Sequence, residues 1–488
     1  MKPRKGGSIA RRDMKRRDLF KVIGAGAAGA AAATVVSGRA KASPQAQIAE
    51  EQTPPVSTWQ KAIPFLETPP EGLQWFNEAK FGMFIHWGPV SLASVEISWP
   101  IMVPSPQWNI TQEEYVNLYK RFDPVRYDPD EWIDLAESAG QRYMVPVCKH
   151  HDGFCMFDSS YTDYKITNTP YKKDIIGMLA EACHRRSMAL GYYYSPPDMH
   201  NPNYRDTSKL AKENWHGEPE RAEWPTYLHY MALQIRELVW HYGQPVEIFF
   251  DGLDHQEKYD GYSFLQMIRS ISPNTMVDNR LGIPADYDTP EQWVPHRIPV
   301  KGVTIRGTNP SEEQNLPATI PTRENFRPWE TNMTINTTWA YNKNDHNYKS
   351  AQHLIRTLIE VASRGGNFLL NVGPTPEGTI QPEFQQRLRA IGDWLRVNGD
   401  AIYGTTYGPL QDLSYGRTTA KSKMVYLHIF DWPESGTLDV AGLGRIQRVT
   451  LLADGRPLSF RQSPQRVSID LPPQSPDPNA SVIAIEMA

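Results

Sequence analysis

The sequence predicts an α/β protein in which a (β/α)8-like TIM barrel is followed by a small C-terminal β-sandwich. Helix and strand patterns alternate from about residue 71 to residue 405, which is typical of a parallel α/β sheet. Several strand patterns end in polar or aromatic residues, and barrels build their sites at these strand ends. Beyond Tyr407 the chain consists of short alternating runs separated by turn residues, which indicates an all-β module.

The length of the chain is consistent with this division. At 488 residues it exceeds one ordinary domain and accommodates a barrel with an accessory module. We place the barrel domain at 71–405 and the β-sandwich domain at 406–488. No apolar run is long enough for an ordinary membrane span.

The first 42 residues have the order of an export signal. A basic stretch at 15–21 precedes a weakly apolar run at 22–36, and the small-residue pattern Ala40-Lys41-Ala42 follows. The paired Arg16-Arg17 followed by Leu-Phe-Lys resembles a twin-arginine signal. We expect cleavage after Ala42, a periplasmic or secreted protein without a membrane anchor, and a polar, proline-containing linker over 43–70.

Charge and cysteine content exclude several function classes. Residues 1–42 contain eleven Lys/Arg and two Asp, a net charge of +9, so the rest of the chain carries −13. An acidic mature chain lacks the basic surface used to bind nucleic acid or anionic membranes. Cys148, Cys155 and Cys183 form neither a disulfide framework nor a CxxC zinc pattern, so we expect buried free thiols.

The elements follow one another regularly along the chain. Strand patterns of the barrel lie at 80–85, 143–148, 189–194, 246–250, 275–278 and 367–372, with a further candidate at 332–335. Helical patterns cover 129–139, 174–186, 228–242, 262–271, 350–363 and 382–397. The sandwich strands are expected at 424–430, 438–440, 449–452, 467–471 and 482–485. Counting strands does not by itself establish closure to eight, because residues 282–345 are irregular and rich in proline.

The strand at 246–250 carries the candidate nucleophile. Its β-branched and aromatic residues, bounded by Pro245 and Gly252, indicate a fully buried strand. Asp251 follows directly, at the end of the strand where barrels carry their chemistry. On this stretch alone, an Asp that caps the turn before Gly252 explains the residue equally well.

Other strand ends present a polar and aromatic set: His86, Trp87, His150, His151, Tyr193 or Tyr194, Asp251 and Arg280. Two chemistries fit such a set. Metal-dependent hydrolysis is disfavoured, because no HxH pair occurs and the adjacent His150 and His151 are expected to point apart. Retaining glycoside hydrolysis needs two carboxyl groups, a nucleophile and an acid/base, ~5–5.5 Å apart, and we favour it.

Five stretches carry a resemblance to a known family. They are Glu-Ala-Lys-Phe-Gly-Met-Phe-Ile-His-Trp-Gly (78–88), Lys-His-His-Asp-Gly-Phe (149–154), Gly-Tyr-Tyr-Tyr-Ser (191–195), Phe-Phe-Asp-Gly (249–252) and Gly-Gly-Asn-Phe-Leu-Leu-Asn-Val-Gly-Pro (365–374). In this order, over about residues 72–405, the chain resembles glycoside hydrolase family 29, the α-L-fucosidases.

The resemblance implies an exo-α-L-fucosidase that acts with retention on fucosylated oligosaccharides or glycoconjugates and needs no metal or other cofactor. Asp251 falls at the position of the nucleophile. The implied fucose contacts are His86, His150, His151, Arg280, Phe249 at the pocket floor, and Tyr194. Tyr193 is the alternative to Tyr194, because the alternation of a strand allows only one of the two to point inward.

The acid/base is less constrained by the resemblance. Glu291, in Asp-Tyr-Asp-Thr-Pro-Glu, is the first choice and Glu330 is the runner-up. A nearby tryptophan would give either carboxyl group the apolar setting that raises the pKa of a general acid. As structural alternatives, Glu291 fits the first turn of a helix and Glu330 fits the end of a strand.

One stretch departs from the family pattern. Many members carry a Glu-Trp pair after the first strand, whereas this chain has Ser98-Trp99, with Glu96 as a possible substitute for the missing carboxylate. Trp99 is therefore carried over as a sugar contact and the carboxylate is not. A glycosidase of altered sugar specificity and a carbohydrate-binding relative with little turnover remain as alternatives, and the sequence does not indicate the oligomeric state.

Overall fold

The computed structural model describes residues 66–252, 256–411 and 413–488. The predicted signal at 1–42 and the predicted linker up to residue 65 lie outside the described residues. The helices are α1 (Pro70–Ala79), α2 (Trp99–Met102), α3 (Gln112–Val116), α4 (Pro129–Ala139), α5 (Ile175–Arg186), α6 (Ala211–Asn214), α7 (Trp224–His241), α8 (Gln256–Tyr259), α9 (Gly261–Ile271), α10 (Ala351–Ser363) and α11 (Pro382–Asn398). Within the described ranges, no helix combines the length and the apolar character that crossing a membrane requires.

The strands belong to two regions. In the first region they are β1 (Phe81–Ile85), β2 (Tyr143–Lys149), β3 (Ala189–Leu190), β4 (Tyr192–Tyr194), β5 (Glu247–Phe250), β6 (Met276–Val277), β7 (Thr289–Pro290), β8 (Arg306–Gly307), β9 (Glu330–Thr334) and β10 (Asn367–Val372). In the second region they are β11 (Thr406–Tyr407), β12 (Gly416–Lys421), β13 (Met424–Ile429), β14 (Thr437–Ala441), β15 (Ile446–Leu451), β16 (Phe460–Gln462), β17 (Arg466–Asp470) and β18 (Ser481–Met487).

Helix boundaries follow the capping signals in the sequence. Helix α4 begins after Asp128, whose side chain accepts the backbone N–H of Asp130, and it ends at Gly140 with φ of 81°. Asp174 and Ser350 cap α5 and α10 in the same way. Helices α4, α5 and α10 therefore begin within one residue of their predicted starts, whereas α7 begins at Trp224 rather than at residue 228.

The barrel is a curled parallel sheet in the order β6-β5-β4-β2-β1-β10-β9, with β3 also paired to β2. Segment 287–291 crosses the gap between β6 and β9. Its parallel bridges join Tyr287 to Asp278, Asp288 to Trp329, and Glu291 to Asn332. The predicted TIM-barrel-like class is confirmed, and the irregular stretch after β6 supplies the part of the wall that strand counting missed.

Alternate residues of each strand fill the barrel interior. Phe84, Val145, Tyr193, Phe249 and Leu369 form one cluster of buried side chains inside the sheet, whereas the residues between them face the surrounding helices. The predicted strand 189–194 is interrupted at Gly191, where an added Cβ would lie 2.7 Å from Glu247 Cγ. A glycine at this position allows the side chain of Glu247 to enter the barrel.

The C-terminal region confirms the predicted all-β module. A five-stranded antiparallel sheet (β11-β12-β13-β18-β15) faces a three-stranded one (β14-β17-β16), and alternate residues such as Leu427, Val440 and Ile469 form the core between them. Tyr426 and Ala484, on the other face of the larger sheet, join the core of the barrel helices. Strand β12 was not predicted, because Gly-Arg-Thr-Thr-Ala-Lys shows no apolar alternation.

Two carboxyl groups are buried at the amino-terminal end of the barrel strands. Glu330 begins β9 and Glu247 begins β5, and both are fully buried. The hydroxyl of Tyr143 donates to Glu330 Oε2. Burial raises the pKa of Glu330 to about 8, and burial together with the nearby Glu330 raises the pKa of Glu247 well above its usual range. The runner-up acid/base is thus a structural residue of the barrel base.

We predict that Glu330→Gln stabilises the protein at alkaline pH. The folded state keeps the proton on Glu330 up to about pH 8, whereas the unfolded chain loses it near the ordinary carboxyl pKa. Folding therefore takes up a proton between these two pH values, and wild-type stability falls as the pH rises through this window. At pH 8 the free energy of unfolding of the variant should exceed that of the wild type by roughly 4 kcal/mol.

Urea unfolding of both proteins at pH 5 and pH 8 measures this difference. The glutamine retains an oxygen that accepts the Tyr143 hydroxyl, so the advantage should shrink at pH 5. Equal pH dependence in the two proteins would show that Glu330 does not titrate on unfolding.

Candidate active site

Asp251 lies at the carboxyl end of β5, in the middle of a hydrogen-bond network. Arg280 Nη1 donates to Asp251 Oδ1 over 2.7 Å, and the hydroxyl of Tyr193 donates to Asp251 Oδ2 over 2.7 Å. His151 Nε2 lies 3.3 Å from the same Oδ2. Both carboxylate oxygens are therefore held in fixed directions, and 19% of the side chain remains exposed.

Glu291 approaches Asp251 from the segment that closes the barrel. It follows β7, and its backbone N–H donates to the carbonyl of Gly307 over 2.8 Å. Its Oε2 lies 2.9 Å from the same Arg280 Nη1 that binds Asp251. Since one nitrogen contacts both oxygens, the two are separated by at most the sum of the two contacts, about 5.6 Å. This upper limit admits the ~5–5.5 Å of retaining glycosidases and excludes the ~6.5 Å or more of inverting ones for this pair of oxygens.

The two carboxyl groups have pKa values shifted in opposite directions. Burial alone would raise the pKa of Asp251, but the adjacent Arg280 and the hydrogen bond from His151 hold it well below its usual range. Burial raises the pKa of Glu291 above its ordinary value despite Arg280, and the negative charge of Asp251 adds to this. One carboxyl group thus stays ionised while its neighbour retains a proton more easily, which is the division between nucleophile and acid.

Arg280 is itself rigidly held. Its Nε donates to Thr289 Oγ1 over 2.8 Å and its Nη2 donates to the carbonyl of Thr289 over 3.0 Å. The guanidinium carbon lies 5.2 Å from the centre of the Phe249 ring, a cation–π contact. Because Thr289 immediately precedes Pro290 and Glu291, the same arginine fixes the segment that carries the candidate acid.

His86 presents a hydrogen-bond acceptor to the pocket. Asn371 Nδ2 donates to the carbonyl of Trp339, so Asn371 Oδ1 faces His86 Nδ1 at 2.7 Å. An amide oxygen only accepts, and His86 therefore carries its proton on Nδ1. Burial lowers the pKa of His86 to about 4, which keeps the ring neutral and leaves Nε2 with a lone pair.

His150 presents the opposite group. Ser98 Oγ accepts the backbone N–H of Asp152 over 2.9 Å and lies 2.6 Å from His150 Nδ1. Ser98 is fully buried, and His150 Nδ1 is the acceptor that its hydroxyl can reach among the described contacts, which favours the tautomer with the ring proton on Nε2. Burial and the neighbouring His151 hold the pKa of His150 well below its usual range. The two buried histidines thus offer an acceptor and a donor, a combination suited to neutral hydroxyl groups.

The adjacent histidines do not point apart, contrary to expectation. Strand β2 ends at Lys149, and the turn beyond it brings the rings of His150 and His151 to 4.2 Å between centroids. With Asp251 they offer three atoms within 4.8 Å of one another, which is a possible metal-ligand set. However, Arg280 and Tyr193 already occupy the Asp251 oxygens, and the guanidinium charge would repel a divalent cation. The donor set therefore suits a sugar better than a metal.

Aromatic rings line the rest of the pocket. Phe249 stacks against Tyr193 at 5.9 Å and lies 5.2 Å from Phe84. Trp339 lies 4.9 Å from the ring of His86. Together these rings form an apolar floor and side wall suited to the C–H groups of a deoxy sugar.

The choice between the two tyrosines is corrected by the structure. Tyr194 points away from the pocket, where its hydroxyl donates to Gln234 Oε1 over 2.8 Å and Lys149 lies over its ring at 4.6 Å. Tyr193 points inward and reaches Asp251. The predicted contact at Tyr194 is wrong because consecutive residues of β4 face opposite sides of the sheet.

Two further residues considered from the sequence, Trp99 and Glu96, lie on either side of Ser98 in the chain. Trp99 begins α2, next to the Ser98 that contacts His150, and is 43% exposed. Glu96, considered as a substitute carboxylate, instead accepts the backbone N–H groups of Ile97, Trp339 and Ala340, and burial raises its pKa to about 7. Its contacts fix the loop of Trp339 rather than a sugar.

Sequence reasoning missed the residues that orient the histidines and line the wall: Ser98, Ser195, Asn371 and Trp339. Asn371 had a signal, since it is the one polar residue in the apolar run Phe-Leu-Leu-Asn-Val at a strand end. No sequence pattern pointed to Trp339, because it lies in the irregular stretch before α10. Ser195 contacts His151 Nδ1 at 2.5 Å, and its place after β4 gave only a weak indication.

Comparisons with known proteins identify the family of the chain. The family model "Alpha-L-fucosidase" matches residues 48–400, and "Alpha-L-fucosidase C-terminal domain" matches residues 410–486. Plasma α-L-fucosidase from Homo sapiens is 29% identical over 436 residues, covering 82% of this chain and 85% of the relative. α-L-Fucosidase from Branchiostoma floridae is 30% identical over 417 residues, covering 79% of this chain and 85% of that protein.

Solved structures are similar over nearly the same range. α-L-Fucosidase isoenzyme 1 from Paenibacillus thiaminolyticus has a TM-score of 0.75 and 33% identity, covering 86% of this chain and 99% of its own. A family 29 α-L-fucosidase from Bacteroides thetaiotaomicron, trapped as a covalent intermediate with 2-fluoro-fucosyl fluoride, has a TM-score of 0.72 and 25% identity. It covers 86% of this chain and 97% of its own.

We predict that Asn371→Asp changes the proton balance of His86. A carboxylate in place of the amide oxygen favours the imidazolium form and should raise the pKa of His86 from about 4 by ~1–3 units. Titration of histidine ¹⁵N signals in selectively labelled protein measures this change. His428, a buried histidine of the C-terminal sheet whose pKa is about 3, provides an internal control and should not shift. An unchanged His86 titration would contradict the assigned contact.

Proposed function

The chain belongs to the α-L-fucosidase family of glycoside hydrolases, and from this premise we propose that it is a retaining exo-α-L-fucosidase that releases terminal α-linked L-fucose from glycans. The observation that carries the proposal is the single buried Arg280 that contacts both Asp251 and Glu291. It limits the separation of the carboxyl groups to a distance suited to retention. The names of the relatives support fucose as the sugar.

In the first step Asp251 attacks the anomeric carbon while Glu291 donates its proton to the glycosidic oxygen. The C–O bond to the leaving group breaks, and an ester bond forms between fucose and Asp251. The lowered pKa of Asp251 keeps the nucleophile ionised, and the raised pKa of Glu291 favours the protonated form of the acid. Tyr193, which donates to Asp251 Oδ2, holds the carboxylate in the direction of attack.

In the second step Glu291, now ionised, removes a proton from water. The water oxygen attacks the anomeric carbon, the ester bond to Asp251 breaks, and fucose leaves with its original configuration. As negative charge returns to Asp251, Arg280 stabilises it. Arg280 therefore serves both half-reactions.

The buried histidines account for recognition of a neutral sugar. His86 accepts a hydrogen bond from one sugar hydroxyl through Nε2, and His150 donates to a sugar oxygen through Nε2. Neither ring carries charge near neutral pH, because burial lowers both pKa values. The methyl group of fucose packs against the floor of Phe249 and Phe84.

We predict that azide restores turnover in both carboxyl variants but gives products of opposite configuration. Without azide, turnover of 4-nitrophenyl α-L-fucoside should fall about 10³-fold or more in Asp251→Ala. In Glu291→Ala it should fall ~10²–10⁴-fold. In Asp251→Ala, azide replaces the nucleophile, attacks the substrate directly and gives the β-fucosyl azide. In Glu291→Ala the ester still forms, and azide attacks it from the other face to give the α-fucosyl azide. Proton NMR of the products distinguishes the two.

Glu330→Ala provides a matched control, because it removes a buried glutamate at the other end of the barrel. Azide should give no fucosyl azide with this variant. An α-azide from Glu330→Ala, or a β-azide from Glu291→Ala, would overturn the assignment of Glu291 as acid/base.

We also propose that residues 1–42 direct export of a folded protein to the periplasm or beyond, and that domain limits follow at 71–405 and 406–488. Cys148, Cys155 and Cys183 are buried and unpaired. A chain without disulfides can fold in a reducing compartment before export, which supports the twin-arginine interpretation of the first residues.

Replacement of Arg16 and Arg17 by lysine should retain the protein in the cytoplasm, as measured by cell fractionation and by the mass of the N-terminus. The other arginine pair, Arg11-Arg12, gives a matched control, and its replacement by lysine should leave export unchanged. Export of the first variant at the wild-type level would contradict the proposed signal.

A further inference from the structure

The residue directly after the candidate acid has a backbone conformation that is rare for its type. Gln292 has φ of 64°, in the left-handed region, where the Cβ atom of an ordinary residue crowds the following carbonyl oxygen. Glycine adopts this conformation without the clash, yet the chain carries a glutamine here. Strained residues of this kind persist only where their surroundings hold them, and they are concentrated in functional sites. Contacts with other parts of the chain must therefore hold Gln292 in place.

Strand β9 supplies these contacts. The backbone N–H of Gln292 donates to the carbonyl of Asn332 over 2.9 Å. Its side-chain amide pairs with Thr334, because Nε2 donates to Thr334 Oγ1 over 3.2 Å and Oε1 accepts the backbone N–H of Thr334 over 3.3 Å. Thr334 is buried, and Lys349 Nζ donates to its carbonyl over 2.7 Å. Gln292 is thus attached to β9 by its main chain and its side chain, at a point that is itself fixed.

The turn at Gln292 brings its two neighbours to one carbonyl group. Gly307 accepts the backbone N–H of Glu291 and the indole N–H of Trp293, each over 2.8 Å. Both donors reach the same oxygen because the left-handed residue between them turns the chain. Thr331 Oγ1 donates to the carbonyl of Trp293 over 2.7 Å, which holds the far side of the turn on β9. The backbone of Glu291 is therefore fixed between β8 and β9.

The other end of the same segment is held in a similar way. Ala285 also has a positive φ, of 42°, and Arg327 Nη1 donates to its carbonyl over 3.0 Å. Segment 285–292 thus begins and ends with a left-handed residue, and residues of the stretch 327–334 bind both ends. The candidate acid Glu291 lies within a segment whose conformation is set from outside the segment.

From these contacts we propose that Gln292 is a positioning residue for the acid/base: its side-chain amide keeps the left-handed turn closed and thereby aims the Glu291 carboxyl group at the glycosidic oxygen. This inference rests on the proposed function, because it concerns the group that donates the proton there. Arg280 holds Glu291 Oε2, and the fixed backbone is the second point that sets the direction of the carboxyl group. A misplacement of about 1 Å can cost on the order of 10²-fold in rate, so a relaxed turn would weaken acid catalysis.

A purely structural role is the alternative, because left-handed residues are common at turns. Ser187 is an example, since it is exposed, has φ of 56° and ends helix α5 with a backbone N–H that donates to helix carbonyls. Gln292 differs, because it follows β7 rather than a helix, and its side chain bonds to a buried residue of a neighbouring strand. Gln292 is also exposed, so its replacement leaves no buried cavity. Ser187, at the end of the barrel opposite the pocket, provides a matched control.

The test uses two substrates that differ in how much they need a proton from the acid. The leaving group of 2-chloro-4-nitrophenyl α-L-fucoside departs as a stable anion, whereas that of phenyl α-L-fucoside requires protonation in the transition state. For Gln292→Ala, kcat/KM on the phenyl fucoside should fall about 10-fold, and kcat/KM on the chloronitrophenyl fucoside should change by less than about twofold. Gln292→Gly accepts the left-handed conformation but lacks the amide, and it should show a smaller loss that is also confined to the phenyl fucoside. Ser187→Ala should match the wild type on both substrates.

The outcomes separate this inference from the proposed function. Failure of the wild type on both fucosides and on fucosylated oligosaccharides would refute the proposed function. With an active wild type, an equal loss on the two fucosides in Gln292→Ala, or no loss on either, would refute the positioning role alone. If circular dichroism shows that Gln292→Ala does not fold, the same two outcomes in Gln292→Gly decide. A selective loss on the phenyl fucoside in Ser187→Ala would also refute the positioning role, because strain at a distant turn would then have the same effect.

Discussion

The site depends on one buried cation shared by two carboxyl groups. Arg280 is 1% exposed, and the desolvation cost of its charge is offset only if anions and hydrogen-bond acceptors surround it. Asp251 and Glu291 supply the charge, and Thr289 supplies two further acceptors. One cation neutralises one carboxylate, so the second group favours its protonated form. The difference that we propose between nucleophile and acid follows from this imbalance rather than from any special feature of either side chain.

In the same pocket, the proposed sugar contacts are neutral histidines, and hydrogen-bond partners on the far side of each ring set their orientation. Asn371 and Ser98 have no charge, but they direct the ring protons of His86 and His150 to opposite nitrogens. A charged residue in either place would alter the field on Asp251. In the proposed function, this arrangement lets the pocket distinguish sugar hydroxyls without disturbing the balance that Arg280 sets between the carboxyl groups.

The sequence predicts the pocket residues that directly follow strands, but it does not predict the pocket residues that lie in loops. Asp251, His86 and Arg280 follow predicted strands, and their convergence follows from the geometry of a parallel sheet. Tyr194 was chosen over Tyr193 because the end of a three-tyrosine run leaves the strand parity open. Trp339 reaches the pocket from an irregular stretch, and its position depends on contacts with Glu96 and Asn371 that lie more than 30 residues away in sequence. No local pattern encodes such contacts.

Strand β5 provides a comparison within the molecule that isolates the cause of the pKa shifts. Glu247 and Asp251 lie four residues apart, point to the same side of the strand and are both largely removed from solvent. Burial and the nearby Glu330 raise the pKa of Glu247 well above its usual range, whereas Arg280 holds that of Asp251 well below it. Desolvation is common to both positions, so Arg280 and the hydrogen bond from His151 decide the outcome. The base of the barrel therefore accommodates acidic residues whose pKa values are raised, whereas the nucleophile that we propose at the open end is kept ionised by Arg280 together with His151.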